Sequence, residues 1–182
     1  ALGLMEPGGL KALNAYHFIS VAAGGLVLAC VYSLLYPIER LFGFTSNVTL
    51  MELSNTNTPL LRNMAEVAPG TFQHSMQVAN LASDVAMKIG AKSLLVRTGA
   101  LYHDIGKTKN PAFFTENQRG FNPHDALSTQ QSAQLITGHV REGLALAEQH
   151  RLPAIVRDFI ATHHGCGMAK FFYMQAKQAG LE

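Results

Sequence analysis

Nineteen consecutive residues without a charge, 18–36 (FISVAAGGLVLACVYSLLY), set the first limit on what this chain can fold into. At about 1.5 Å rise per residue they make roughly 29 Å of helix, close to the thickness of a bilayer's hydrocarbon core. Tyr16, Tyr32 and Tyr36 lie near the two ends, where amphipathic rings favour the membrane interface, and Pro37 is expected to end the helix. Gly24-Gly25 weakens a soluble helix but suits close packing against another membrane helix. A fully buried helix of a soluble protein would read the same way, whereas a secretory signal would need a small-residue cleavage site after Tyr36. Lys11 before the run and Arg40 after it leave the orientation undecided. With a Gly-rich loop over 1–9 and an amphipathic connector over 38–44, residues 1–44 read as one transmembrane helix and its connector.

Beyond residue 45 the apolar spacing is helical throughout, and no stretch alternates with period two for long enough to make a strand. The prediction is an all-α helical domain over 45–182. Ser54-Asn55-Thr56-Asn57-Thr58-Pro59 is a turn cluster leading into a helix near Pro59. Thr71 is expected to cap a helix closed by Gly90, and Ser93 the next one. Residues 108–123 form a long loop. Ser128 or Thr129 caps a helix through His150, and Pro153 opens another running to His164. Gly165-Cys166-Gly167 breaks it, and 168–179 resumes helical spacing.

A net charge of +2, with Lys and Arg scattered, argues against a partner that is a nucleic-acid polymer bound through its phosphates. A small anionic ligand needs only one local positive site. The two cysteines, Cys30 and Cys166, sit in unrelated settings and imply no disulfide framework.

Chemistry concentrates in His103-Asp104-Ile105-Gly106-Lys107, joined by His74, His139 and the pair His163-His164. Imidazole nitrogens and carboxylate oxygens suit divalent iron, manganese, zinc or nickel, and one carboxylate can bridge two ions. Adjacent helical residues point about 100° apart, so His103 and Asp104 converge on one site only if it lies beside the helix and other helices bring further ligands. Two metals roughly 3.5–4 Å apart would hold a bridging hydroxide and clamp a phosphate, with Lys107 placed to neutralise charge on the phosphoryl oxygens. Any one of these histidines alone is ordinary. Two of the chain's four aspartates directly follow a histidine, however, and the joint pattern carries the weight.

The order H…HD…H…HH, with HDIGK at the second position, resembles the HD superfamily of metal-dependent phosphohydrolases. ELSNTNTPLL, APGTFQHS, GALYHDIGK, and ENQ with NPHD look like the seven-transmembrane HD phosphodiesterases of the PgpH type. That resemblance implies a bacterial inner-membrane protein with a cytoplasmic HD domain that hydrolyses cyclic di-AMP to pApA. It implies two divalent metals, iron or manganese. His74, His103 and Asp104 would hold one, with Asp104 bridging, and His139, His163 and His164 would complete the second. Lys107 would face the scissile phosphate, and Glu116, Asn117, Gln118, Asn122 and His124 would lie near the substrate or fasten their own loop. Another cyclic dinucleotide or a nucleotide is the alternative substrate, and a non-catalytic nucleotide sensor the alternative class. The family pattern closes with a further metal-binding Asp after the His-His pair, which residue 182 does not reach. On the resemblance this is expected to be a fragment lacking one metal ligand, which leaves its activity by itself open.

Overall fold

The computed structural model describes residues 15–180, so the expected N-terminal loop at 1–9 and the final Leu181-Glu182 lie outside it. Among the described residues there are eight α-helices and no strand. The contacts divide the chain into two compact units, Ala1–Phe44 and Thr45–Glu182.

The first unit is helix α1, Ala15–Phe42, long and apolar enough to cross a membrane, with its apolar side chains exposed. It is longer than the sequence predicts because Pro37 lies inside it rather than ending it. A proline in a helix removes one rung of the ladder, and α1 runs on past that gap to Phe42.

In the second unit α2 (Asn47–Leu53) is capped by Ser46, whose hydroxyl accepts from the Thr49 N–H. Helix α3 (Pro59–Val67) opens on proline, and α4 (Pro69–Lys88) follows after Ala68. Thr71 is therefore not the cap of α4. It lies fully buried inside the first turn, and the N–H groups there are satisfied from a distant loop. Helix α5 (Ser93–Tyr102) is the centre of the unit and packs against α2, α4 and α7 (Ala154–Thr162). Thr98, Gly99, Ala100, Leu101 and Tyr102 are all buried, and Leu101 meets a core that includes Leu61, Met64, Val156 and Ile160. Each such aliphatic side chain contributes about 1.5–3 kcal/mol on leaving water. Gly99 is small by necessity, since a Cβ there would stand 2.3 Å from the Phe159 ring.

Helix α6 (Thr129–Gln149) starts with a full capping box between Ser128 and Gln131. The segment between α5 and α6 is a chain of short 3-10 turns, the first being Ile105–Lys109. Pro153 stands just before α7, and α7 ends at Thr162, leaving His163 at its C-cap and His164 beyond. Helix α8 (Lys170–Gln178) packs on α6.

Candidate metal centre

Helix α5 stops at Tyr102, and this stop brings His103 and Asp104 to the same place. His103 keeps helical backbone angles as the cap, while Asp104 turns away at φ −109°, ψ 13°. Two neighbours that would diverge by about 100° inside a helix thus converge at its end. The turn can form because Gly106 lies against α6. A Cβ on Gly106 would sit 1.8 Å from the His139 carbonyl oxygen and 2.6 Å from the Gly143 nitrogen. Contact between backbones therefore sets the distance from Asp104 to His139.

The structure brings all six expected ligands together in two overlapping groups. His74, His103 and Asp104 form one, and Asp104, His139, His163 and His164 form the other, with the ligand atoms of each group within 4.8 Å of one another. Asp104 straddles them. Its Oδ2 lies 3.1 Å from His103 Nε2, and its Oδ1 lies 3.3 Å from His139 Nε2 and 3.5 Å from His163 Nε2. His139 and Asp104 are buried, His103 and His163 half-buried, and His74 and His164 exposed on the open side.

Backbone carbonyls fix the tautomers. Nδ1 of His103 bonds the Ala100 carbonyl at 2.7 Å, Nδ1 of His163 bonds that of Ile160 at 2.9 Å, and Nδ1 of His139 bonds that of Ile136. Each ring donates there, so each neutral ring points a bare lone pair on Nε2 into the cluster. The His139 Nε2 lies 3.2 Å from both His163 Nε2 and His164 Nε2. Imidazolium rings would turn the Asp104 contacts into ion pairs, but several like charges at that spacing repel. Asp104 Oδ1 is buried and has no hydrogen-bond donor. Lone pairs converging on an orphaned carboxylate oxygen leave room for one kind of partner, a cation, and the residues present fit a divalent metal in each group.

The charges follow the same pattern. Burial alone would raise the Asp104 carboxyl, but whenever His103, His139 and His163 carry a proton on Nε2 they hold it far below the usual carboxylate range. His103 is likewise pushed down by burial and more than restored by Asp104, ending above an ordinary histidine. His164 is lowered, first by burial and then by the charges of His163 and His139. Lys107 is held above its ordinary value, because Asp104 and Glu116 outweigh its burial.

Lys107 Nζ sits 2.8 Å from Asp104 Oδ2, 2.9 Å from Glu116 Oε1 and 5.0 Å from the centre of the Phe114 ring. Phe114, missed by the sequence reading, is buried and also meets the His139 ring edge-on at 5.7 Å. Only its place between two chemical residues marks it out. The other side chains expected near the substrate fasten the loop. Asn117 Oδ1 accepts from the N–H groups of Gly70 and Thr71 and so caps α4. Asn122 Oδ1 accepts from Gln118 and from the His124 N–H. His124 Nε2 lies 2.9 Å from the Phe113 carbonyl, and its ring lies against Phe113 and Phe172.

The chain is similar to known proteins in sequence and fold. The HD-domain family model matches residues 71–181. The chain is 48% identical over 141 residues to the cyclic-di-AMP phosphodiesterase PgpH of Listeria monocytogenes, covering 77% of this chain and 20% of that protein. It is 42% identical over 169 residues to the PgpH of Bacillus subtilis, covering 92% of this chain and 24% of that one. The chain thus spans about a quarter or less of these relatives. The crystal structure of the L. monocytogenes PgpH HD domain in complex with cyclic di-AMP superposes with a TM-score of 0.66 at 48% identity, covering 69% of this chain and 59% of that one. With the family model matching most of its length, the chain belongs to the HD-domain family.

Proposed function

We propose that this chain carries the HD-domain metal centre of a membrane-anchored phosphodiesterase that hydrolyses cyclic di-AMP to pApA with two iron or manganese ions. The observation that carries the reading is Asp104, whose two oxygens face two separate histidine sets. His74, His103 and Asp104 would hold one ion, and His139, His163 and His164, sharing Asp104, the other. The metals would supply a nucleophile at neutral pH and charge stabilisation on the phosphoryl oxygens. The chain's own residues do the rest. Carbonyls of Ala100, Ile136 and Ile160 hold three rings in the tautomer that offers Nε2. Lys107 directs two N–H groups to Asp104 and Glu116, which leaves its third donor for a non-bridging phosphate oxygen. Burial of Asp104 and His139 keeps water off the inner side of the cluster and strengthens each of these interactions.

The likeness to two phosphodiesterases named for cyclic di-AMP, and to an HD domain crystallised with it, supports this choice of substrate. Full-length protein incubated with manganese or iron and cyclic di-AMP should release pApA. A protein that holds its metals and leaves the dinucleotide cyclic sinks the reading. For location we infer the bacterial inner membrane, with residues 45–182 on the cytoplasmic side. The long apolar helix α1 and the motif resemblance support this. Fractionation of cells, with protease access to the HD unit from either side, tests it.

A further inference from the structure

We infer that Glu116 is the positioning residue of Lys107, holding its ammonium over the metal centre from outside the ligand set. Only the catalytic consequence of this rests on the phosphodiesterase reading above.

Lys107 has two anionic partners, Asp104 at 2.8 Å and Glu116 at 2.9 Å. They are not equivalent. Asp104 belongs to both ligand groups, and a carboxylate shared with cations attracts an ammonium weakly. Glu116 belongs to neither group, so its hold does not depend on what the metals do. Glu116 is itself fixed, because its Oε1 also accepts from the buried Thr71 hydroxyl at 3.0 Å. Its neighbour Asn117 donates to Thr71 Oγ1 at 2.8 Å and accepts from the Gly70 and Thr71 N–H groups. Backbone contact locks the dipeptide in place, since a Cβ on Gly70 would stand 1.9 Å from the Glu116 carbonyl oxygen. The glutamate thus ties Lys107 to the first turn of α4, the helix that carries His74. Phe114 packs against the same ammonium at 5.0 Å. A flexible lysine stem stays in one place only when its head is held in this way.

The competing role, direct contact with substrate, conflicts with charge. A carboxylate facing a phosphodiester is repelled unless a cation stands between them, and the cation bonded to Glu116 is Lys107.

The test uses the full-length, manganese-loaded protein and two readouts. Glu116→Gln keeps the Thr71 bond and removes the charge. Acetylation of Lys107, followed by mass spectrometry, should become several-fold faster in E116Q while metal content stays at the parental value. Turnover of cyclic di-AMP should fall about tenfold, the size of one lost charge-assisted hydrogen bond. Glu116→Asp, which keeps the charge on a shorter arm, should recover part of both. In a Lys107→Met background, adding E116Q should lower the residual turnover no further, as expected when one residue acts through the other. Unchanged Lys107 reactivity in E116Q overturns the inference, as does a full further loss in the Lys107→Met background. If the parent does not hydrolyse the dinucleotide, the function proposed above fails, and the acetylation rates still decide the role of Glu116.

Discussion

Asp104 concentrates the chemistry of the site in one carboxylate. Each of its oxygens serves a different histidine set, so its loss differs in kind from the loss of any single histidine. Asp104→Ala should leave less than one metal per chain by elemental analysis, against two in the full-length parent. Its activity loss should exceed the about 10–100-fold typical of losing an outer-shell partner. His164→Ala removes one exposed ring and should keep the His74 side loaded. The two sides also differ towards protons. A metal needs the bare Nε2, so proton and metal compete for each ring. His103, raised above the ordinary histidine value near 6.5, takes a proton at higher pH than His164, which is lowered. On acidification of the metal-free protein His103 should therefore take its proton before His164, which NMR titration of the two rings reads separately, and a lower midpoint for His103 would contradict the asymmetry.

Helix α5 translates core packing into site geometry, and two of its contacts can be tested as elements. Tyr102, directly before His103, is fully buried and donates its hydroxyl to the Leu53 carbonyl at 2.9 Å, with Thr58 Oγ1 at 3.1 Å. Burial raises this phenol, so it stays a donor across the working pH range. Tyr102→Phe strands the Leu53 carbonyl and should lower the unfolding free energy by about 1–2 kcal/mol, read from the urea midpoint. The second is the contact of Gly106, in the 3-10 turn that follows α5. Gly106→Ala drives a methyl into the His139 carbonyl and the Gly143 nitrogen, backbone atoms that cannot swing aside. A cost of about 3 kcal/mol or more is expected, with weakened metal binding on the His139 side. The same contacts explain what the sequence could not reveal. Metal chemistry demands particular residue types, so the histidines and Asp104 could be singled out as candidates without coordinates. How neighbouring His103 and Asp104 could share a site could not, because the end of α5 depends on Gly106 meeting α6 more than thirty residues later. Thr71 misled for a related reason, since the cap of α4 comes from Asn117, far along the chain.

For the molecule as a whole, the division into two units separates the long apolar helix from the candidate metal centre. The all-helical architecture and the apolar first helix were legible because both rest on periodicity and on uncharged length, which are local properties. The extent of α1 was not, since Pro37 is a strong breaker by rule and a tolerated gap in this helix. Every candidate ligand, Lys107 and the loop that fixes it lie within residues 45–182. The burial of Leu61, Met64, Leu101, Val156 and Ile160 also falls entirely within that unit. Helix α1 supplies none of these candidate ligands, and its apolar side chains (Phe18, Ile19, Leu26, Val27, Leu28 and Val31 among them) are exposed. A protein that begins at residue 45 and runs to the natural C-terminus should therefore be a detergent-free, helical unit with its metal content intact. Size-exclusion chromatography, circular dichroism and elemental analysis read the three properties separately. If the shortened protein stays soluble and helical but loses metal, the site depends on the anchor after all. If it keeps metal yet fails to leave the membrane fraction, a surface other than α1 holds it there.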